Sequence, residues 1–237
     1  MVDFLALAQR ARQECGMAGT GPAAVAGQLG DLKRIVDWTA SAWDDIQSRH
    51  PTWRWMRSRF TINTTAGVDT YAPGAFTDSR LTGLITRFNH WIPEDDYGVS
   101  NVYRYLTSGG IAGQTYMVPI SWSSYRDLYR LRTQSNGIPH YVTIDPQNNL
   151  VIGPPPDGIY TISGEYQMSN QSLTADADIP EMPVQYHMLI VYEVMKRYGA
   201  YSSAPDVQSR GVEYANRLMR QLEGNQLPQI MLGDCLA

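Results

Sequence analysis

Ile179-Pro-Glu-Met-Pro-Val-Gln-Tyr-His-Met-Leu-Ile-Val-Tyr-Glu-Val-Met-Lys-Arg-Tyr-Gly199 decides how the rest of the chain is read. Pro180 and Pro183 stand where a helix can begin but not continue, and Gly199 stands where a left-handed residue commonly ends one. Wrapped at about 3.6 residues per turn, Val184, Met188, Leu189, Ile190, Val191, Tyr192, Val194 and Met195 cover most of the circumference. A helix apolar nearly all round is buried on several sides. Its neighbours come either from its own chain or partly from an adjoining copy. At roughly 16 residues it is short for a bilayer, and His187, Glu193, Lys196 and Arg197 interrupt it.

Working outward, the periodicity predicts three further helices. Asp206 to Glu223 turns Val207, Val212, Tyr214, Ala215, Leu218, Met219 and Leu222 to one side, with Glu213 and Arg217 as a favourable i,i+4 pair. Near the start, Phe4, Leu7, Ala8, Ala11 and Cys15 share a face, with Asp3 placed as N-cap and Gly16 as the stop. Leu32, Ile35, Val36, Thr39, Trp43 and Ile46 form a stripe on a second helix that Asp31 can cap and Pro51 closes off. Between them, Gly16 to Gly30 holds five glycines and Pro22. A phosphate-binding reading of that loop fails, since it lacks the Gly-Lys-Ser/Thr ending and a preceding strand. Past the second helix, Trp53 and Trp55 mix with Arg49, Arg54, Arg57 and Arg59. Such mixing occurs in nucleic-acid stacking surfaces, but it fits a packed helix end with snorkelling arginines better.

From Phe60 the period changes to two. Phe60, Ile62 and Thr64, then Val68 and Tyr71, read as strands joined by a turn at Ala66-Gly67. Leu84 to Trp91, Val102 to Leu106, Tyr141 to Ile144, Leu150 to Ile152 and Ile159 to Met168 follow as strands, with a helical turn or two at Trp122 to Leu131 and an exposed loop at Ser108 to Gln114. Pro154-Pro-Pro-Asp-Gly158 supplies a turn and blunts an edge. The acidic run Asp176, Asp178, Glu181 reads as a solvated connector, lacking the spacing and glycine of a calcium loop. Beyond Gly224, the apolar run Leu227 to Leu232 docks on its own core or on a partner, since an apolar tail left in water is a liability.

Composition narrows the function. A net charge of −4 argues against neutralising many phosphates, and 17 Arg against two Lys leans toward extensive interfaces. Cys15 and Cys235 are read as free thiols, and the first residues lack the charge order of a secretory signal. No two of His50, His90, His140 and His187 have metal spacing, and there is no Gly-x-Ser-x-Gly elbow. No catalytic residue, metal or cofactor is therefore expected.

Gly19-Thr-Gly-Pro-Ala-Ala-Val-Ala-Gly-Gln28, Lys33-Arg-Ile-Val-Asp-Trp38, Ala42-Trp-Asp-Asp-Ile-Gln47 and Trp53 to Met56 resemble head-to-tail adaptor proteins of tailed bacteriophages. Leu150 to Tyr160, Glu165-Tyr166, Asp178 to Pro183 and Tyr186-His187 continue the resemblance. It implies an α+β fold in which 1–57 and 179–224 form a helical bundle, 58–178 an inserted antiparallel β domain and 225–237 an extended C-terminal tail. It further implies a structural virion protein, made in the host cytoplasm and placed at the capsid vertex. There a ring of copies, a dodecamer, joins the portal protein to a tail or nozzle protein, and DNA passes the lumen without sequence-specific binding. The tail residues Leu227, Pro228, Ile230, Met231 and Leu232 become the expected portal or neighbour interface, and Arg54, Trp55, Arg57, Arg126 and Arg130 candidate inter-subunit contacts. The rival readings are a β-rich carbohydrate or surface-binding module, with Tyr103, Tyr105, Trp122 and Tyr125 as its aromatic platform, and a hydrolase.

Overall fold

The computed structural model describes residues 2–131 and 134–227, and the chain forms two compact units, 1–56 with 170–237 and 57–169. Five helices occupy the described residues: α1 (Phe4–Glu14), α2 (Gly30–Ser48), α3 (Trp122–Tyr125), α4 (Met188–Tyr201) and α5 (Pro205–Gln226). All but α3 belong to the first unit. The fold is α+β, with helices at both ends of the chain and sheets between them.

In the helical unit α4 is central, packing against α1, α2 and α5. Leu189, Ile190, Val191, Val194 and Met195 are fully buried, as its apolar circumference requires. They meet Phe4, Leu7 and Ala11 of α1, Ile35, Trp43 and Ile46 of α2, and Ala215, Met219 and Leu222 of α5 in one core. Each large apolar side chain so enclosed contributes about 1.5–3 kcal/mol before entropic costs. α1 begins where Asp3 Oδ1 accepts the Ala6 N–H at 2.8 Å and ends at Gly16, whose φ of +71° is the left-handed stop expected of it.

Two boundary expectations fail for physical reasons. Asp31 does not cap α2; Leu29 occupies the N-cap, and Asp31 lies inside the first turn, bonded to Arg34 at 2.7 Å. Gly199 does not end α4, which continues to Tyr201 before Ser203, with φ +53°, turns the chain into α5. Gly199 is there for approach rather than termination. A Cβ on it would lie 2.6 Å from the Gln208 backbone nitrogen, and one on Gly211 3.0 Å from that of Lys196. The two bare positions let α4 and α5 close on each other.

Asn170 to Asp178, expected at the end of the β insert, lies with the helices. Gln47 accepts the Gln171 N–H at 2.7 Å and donates to its carbonyl at 3.0 Å. Gln171 in turn donates to Ile179 O and accepts from Glu181 N–H, while Asp176 accepts the Val25 N–H at 2.7 Å. The acidic connector, exposed at Asp176, thus ties loops together while facing water.

The described residues of the second unit hold eleven strands: β1 (Arg57–Asn63), β2 (Thr70–Tyr71), β3 (Thr77–Asp78), β4 (Gly83–Leu84), β5 (His90–Ile92), β6 (Tyr103–Leu106), β7 (Thr115–Tyr116), β8 (Val118–Pro119), β9 (Tyr141–Ile144), β10 (Leu150–Gly153) and β11 (Tyr160–Gln167). The larger sheet runs β4-β3-β1-β11-β6-β7, with β5 beside β6 on the same flank of β11. The smaller runs β2-β10-β9-β8 and includes one parallel pair, β8 with β9. β1 and β11 pair along their length, from Arg57 opposite Gln167 to Asn63 opposite Thr161. Phe60, Phe76, Trp91, Val142, Ile152 and Tyr166 draw one core from both sheets.

β1 and β2 are not a hairpin, because they join different sheets. The proline-rich link likewise carries the chain from the small sheet to the large one. Leu84 to Trp91 is two short strands, β4 and β5, separated where Arg87 donates to the Ser169 carbonyl.

Candidate assembly surfaces

Among the nominated contacts, Arg54 and Arg126 are exposed, Arg54 on the short 3-10 turn Arg54–Met56 and Arg126 at the start of the π-helical turn after α3. Trp55 is corrected to a core residue. It is 8% exposed, and its ring stacks on Trp53, with centroids 4.3 Å apart, and lies 6.5 Å from that of Trp43. Trp53 is anchored by its Nε1–H, which donates to the Ile46 and Gln47 carbonyls at 3.1 Å each. Arg57 opens β1, half-buried and 3.6 Å from Glu165. Arg130 is engaged within its own unit, 3.4 Å from Asp69, donating to Thr70 Oγ1 at 3.2 Å and lying over the Tyr125 ring. Leu227 packs on the helical core; Pro228, Ile230, Met231 and Leu232 lie outside the described residues.

The nominated aromatics divide. Tyr125 is fully buried, its hydroxyl donating to Asp69 at 3.0 Å and to the Ile152 carbonyl at 3.1 Å. Burial and then the Asp69 charge push its pKa up, so it remains a neutral donor. Trp122 stacks on it, with centroids 5.7 Å apart. Tyr103 pairs instead with the exposed Tyr116 of β7 at 4.8 Å, beside a groove of about 440 Å³ bordered by Arg59, Ile111, Gln114 and Glu165. Tyr105 is half-buried on β6.

Three features escaped sequence reading. Asp78 is fully buried and accepts from Tyr166 Oη, from Ser58 Oγ at 2.8 Å, and from the Arg80 and Leu81 N–H groups at 2.7 and 3.2 Å. Burial alone would raise its pKa, but the donors, Tyr166 and Ser58 foremost, outweigh it and hold the carboxylate below its ordinary value of 3.8. No local pattern marks such a residue, since its donors come from β1, β11 and the following turn.

Arg12, on the last turn of α1, is 7% exposed. Its Nη2 donates to the Met17 carbonyl at 2.6 Å, its Nε is enclosed without an acceptor, and none of the described carboxylates pairs with it. It lies between two cavities of about 480 and 450 Å³ that meet along the glycine loop, where a Cβ on Gly19 would come within 3.3 Å of Nη2. In the β unit, Asp95 Oδ1 accepts the Tyr97 and Val99 N–H groups at 2.9 and 2.8 Å, shaping a tip that leaves Glu94, Asp96 and Tyr97 exposed. Among the described residues, no group of three or more His, Cys, Asp or Glu is arranged to hold a metal ion, and no helix is long and apolar enough to cross a membrane.

Comparison with known families gives one match that takes in both units: the family described as SU10 adaptor protein, over residues 2–230. No curated protein matches the chain.

Proposed function

We propose a place in the virion for this chain on one premise: it belongs to the SU10 adaptor protein family and is thereby a structural adaptor of a bacteriophage. It acts as a subunit of a homo-oligomeric ring, a dodecamer, at the capsid vertex, joining the portal to the tail or nozzle protein and continuing the DNA channel. The observation that carries this reading is the extent of the match, which spans the helical and β units together rather than one shared module. In this role the protein is not an enzyme and needs no cofactor or metal. Heterologous contacts between copies close the ring by rotation. The segment Pro228 to Leu232 engages the portal or the neighbouring copy. The chain's mild net acidity keeps DNA sliding rather than binding, because tight phosphate contacts would oppose passage.

Negative-stain electron microscopy of the protein mixed with the portal encoded beside it tests the assignment. Rings on the portal's narrow end are expected, even from a protein monomeric alone. A folded protein that never associates with portal across a range of salt, yet binds glycans on an array, would transfer the assignment to a surface-binding module. For the channel, replacing lumen-facing acids by Lys is expected to slow DNA ejection, and unchanged ejection would remove the sliding argument.

A further inference from the structure

We infer that Arg12 and the glycine loop after α1 form a socket for a carboxylate, and that a second copy of this chain supplies it from the tip Glu94–Asp96. The socket stands on its own geometry, while the second copy rests on the ring reading above. A guanidinium carries five N–H donors and cannot shed its charge, so burying it without a counter-ion is strongly unfavourable. Arg12 is buried with a single carbonyl acceptor and an enclosed Nε, and the nearby Glu14 carboxylate is taken by Arg10 at 2.6 Å. Among the described residues no side chain of this unit supplies the missing partner, and the cavity that Arg12 lines leaves it a way in.

The lining selects the ligand. One planar guanidinium fork matches one carboxylate. Asp31 on the same rim disfavours a doubly charged phosphate, and Met17, Leu29 and Leu32 add apolar contacts to an otherwise largely polar wall. Leu29, at the mouth, is 83% exposed.

The tip of the β unit has the complementary properties. Glu94 and Asp96 are exposed, with no partner among the described residues, and Asp95 is spent on holding the turn. Tyr97 is 79% exposed. Leu29 and Tyr97 are the two most exposed large apolar side chains among the described residues, one beside the unpaired cation and the other beside the unpaired acids. Docking the tip of one copy on the loop of the next covers both and pairs the charges. The two surfaces differ, so the contact is heterologous and propagates around a ring.

The enclosed Arg12 Nε–H exchanges slowly with water and gives its own 15N–1H signal in the full chain, identified by its loss in Arg12→Lys. Sodium acetate is expected to shift this signal saturably, with sodium chloride inert and inorganic phosphate weaker. A response to ionic strength alone, or a stronger response to phosphate, overturns the socket. Adding unlabelled wild-type protein should move the signal as acetate does. An unlabelled E94Q/D96N copy, altered only on the exposed tip, should act at least about tenfold more weakly, the effect of losing one charge-assisted pair. Equal action by that variant, or no action by wild type, overturns the second-copy source. Rings on portal that form as well with E94Q/D96N as with wild type keep the adaptor reading and discard this contact.

Discussion

At Asp78, four donors keep a carboxylate ionised inside a sheet core. Because its folded pKa lies below 3.8, its stabilisation is fully present above that value and is lost as pH falls through the lower folded one. Urea unfolding between pH 5 and pH 2.5 should show stability declining on the acid side, and Asp78→Asn should flatten that decline. Identical acid slopes for the two proteins would contradict the assignment. Gly199 sets a different limit at the same scale. A methyl group 2.6 Å from the Gln208 backbone nitrogen cannot be relieved by a side-chain rotation, so Gly199→Ala should cost about 1–3 kcal/mol. A denaturation midpoint equal to wild type would show that the helices part easily. The glycine was visible in sequence, but its reason was not: a stop and a close approach select the same residue, and only the partner helix distinguishes them.

Among elements, α4 was legible in advance because burial on several sides leaves its mark within a single helix, as do the cap of α1 and the stripe of α2. The sheets were legible as strands and not as pairings. Period two places Phe60 and Ile62 on one face, yet nothing local says that β2 pairs with β10 rather than with β1. Of the candidate contacts, Trp55 proved buried and Arg130 already engaged at its own surface, since whether an indole or an arginine is free depends on what other strands and turns bring to it. Asn170 to Asp178 shows how small such determinants are. One glutamine on α2 bonds both the N–H and the carbonyl of Gln171. Gln47→Ala leaves those two groups unsatisfied and should cost about 1–3 kcal/mol. Hydrogen exchange of the Gln171 amide, expected to speed up in the variant, checks this directly, and unchanged protection would place the hold elsewhere.

For the whole molecule, the adaptor reading separates folding from attachment. Deleting Pro228 to Ala237 leaves Leu227 on the helical core and should give a folded protein that no longer binds portal. Undiminished portal affinity of the truncated protein would refute the tail's role. A last consequence follows from the full-length pairing of β1 with β11, which sets Arg57 directly opposite Gln167. The β unit therefore begins and ends at one place, like a cassette with both connectors on the same side. A recombination event that exchanges only the coding segment for 57–169 would replace one compact unit through two chain ends that lie side by side, leaving a short gap to bridge.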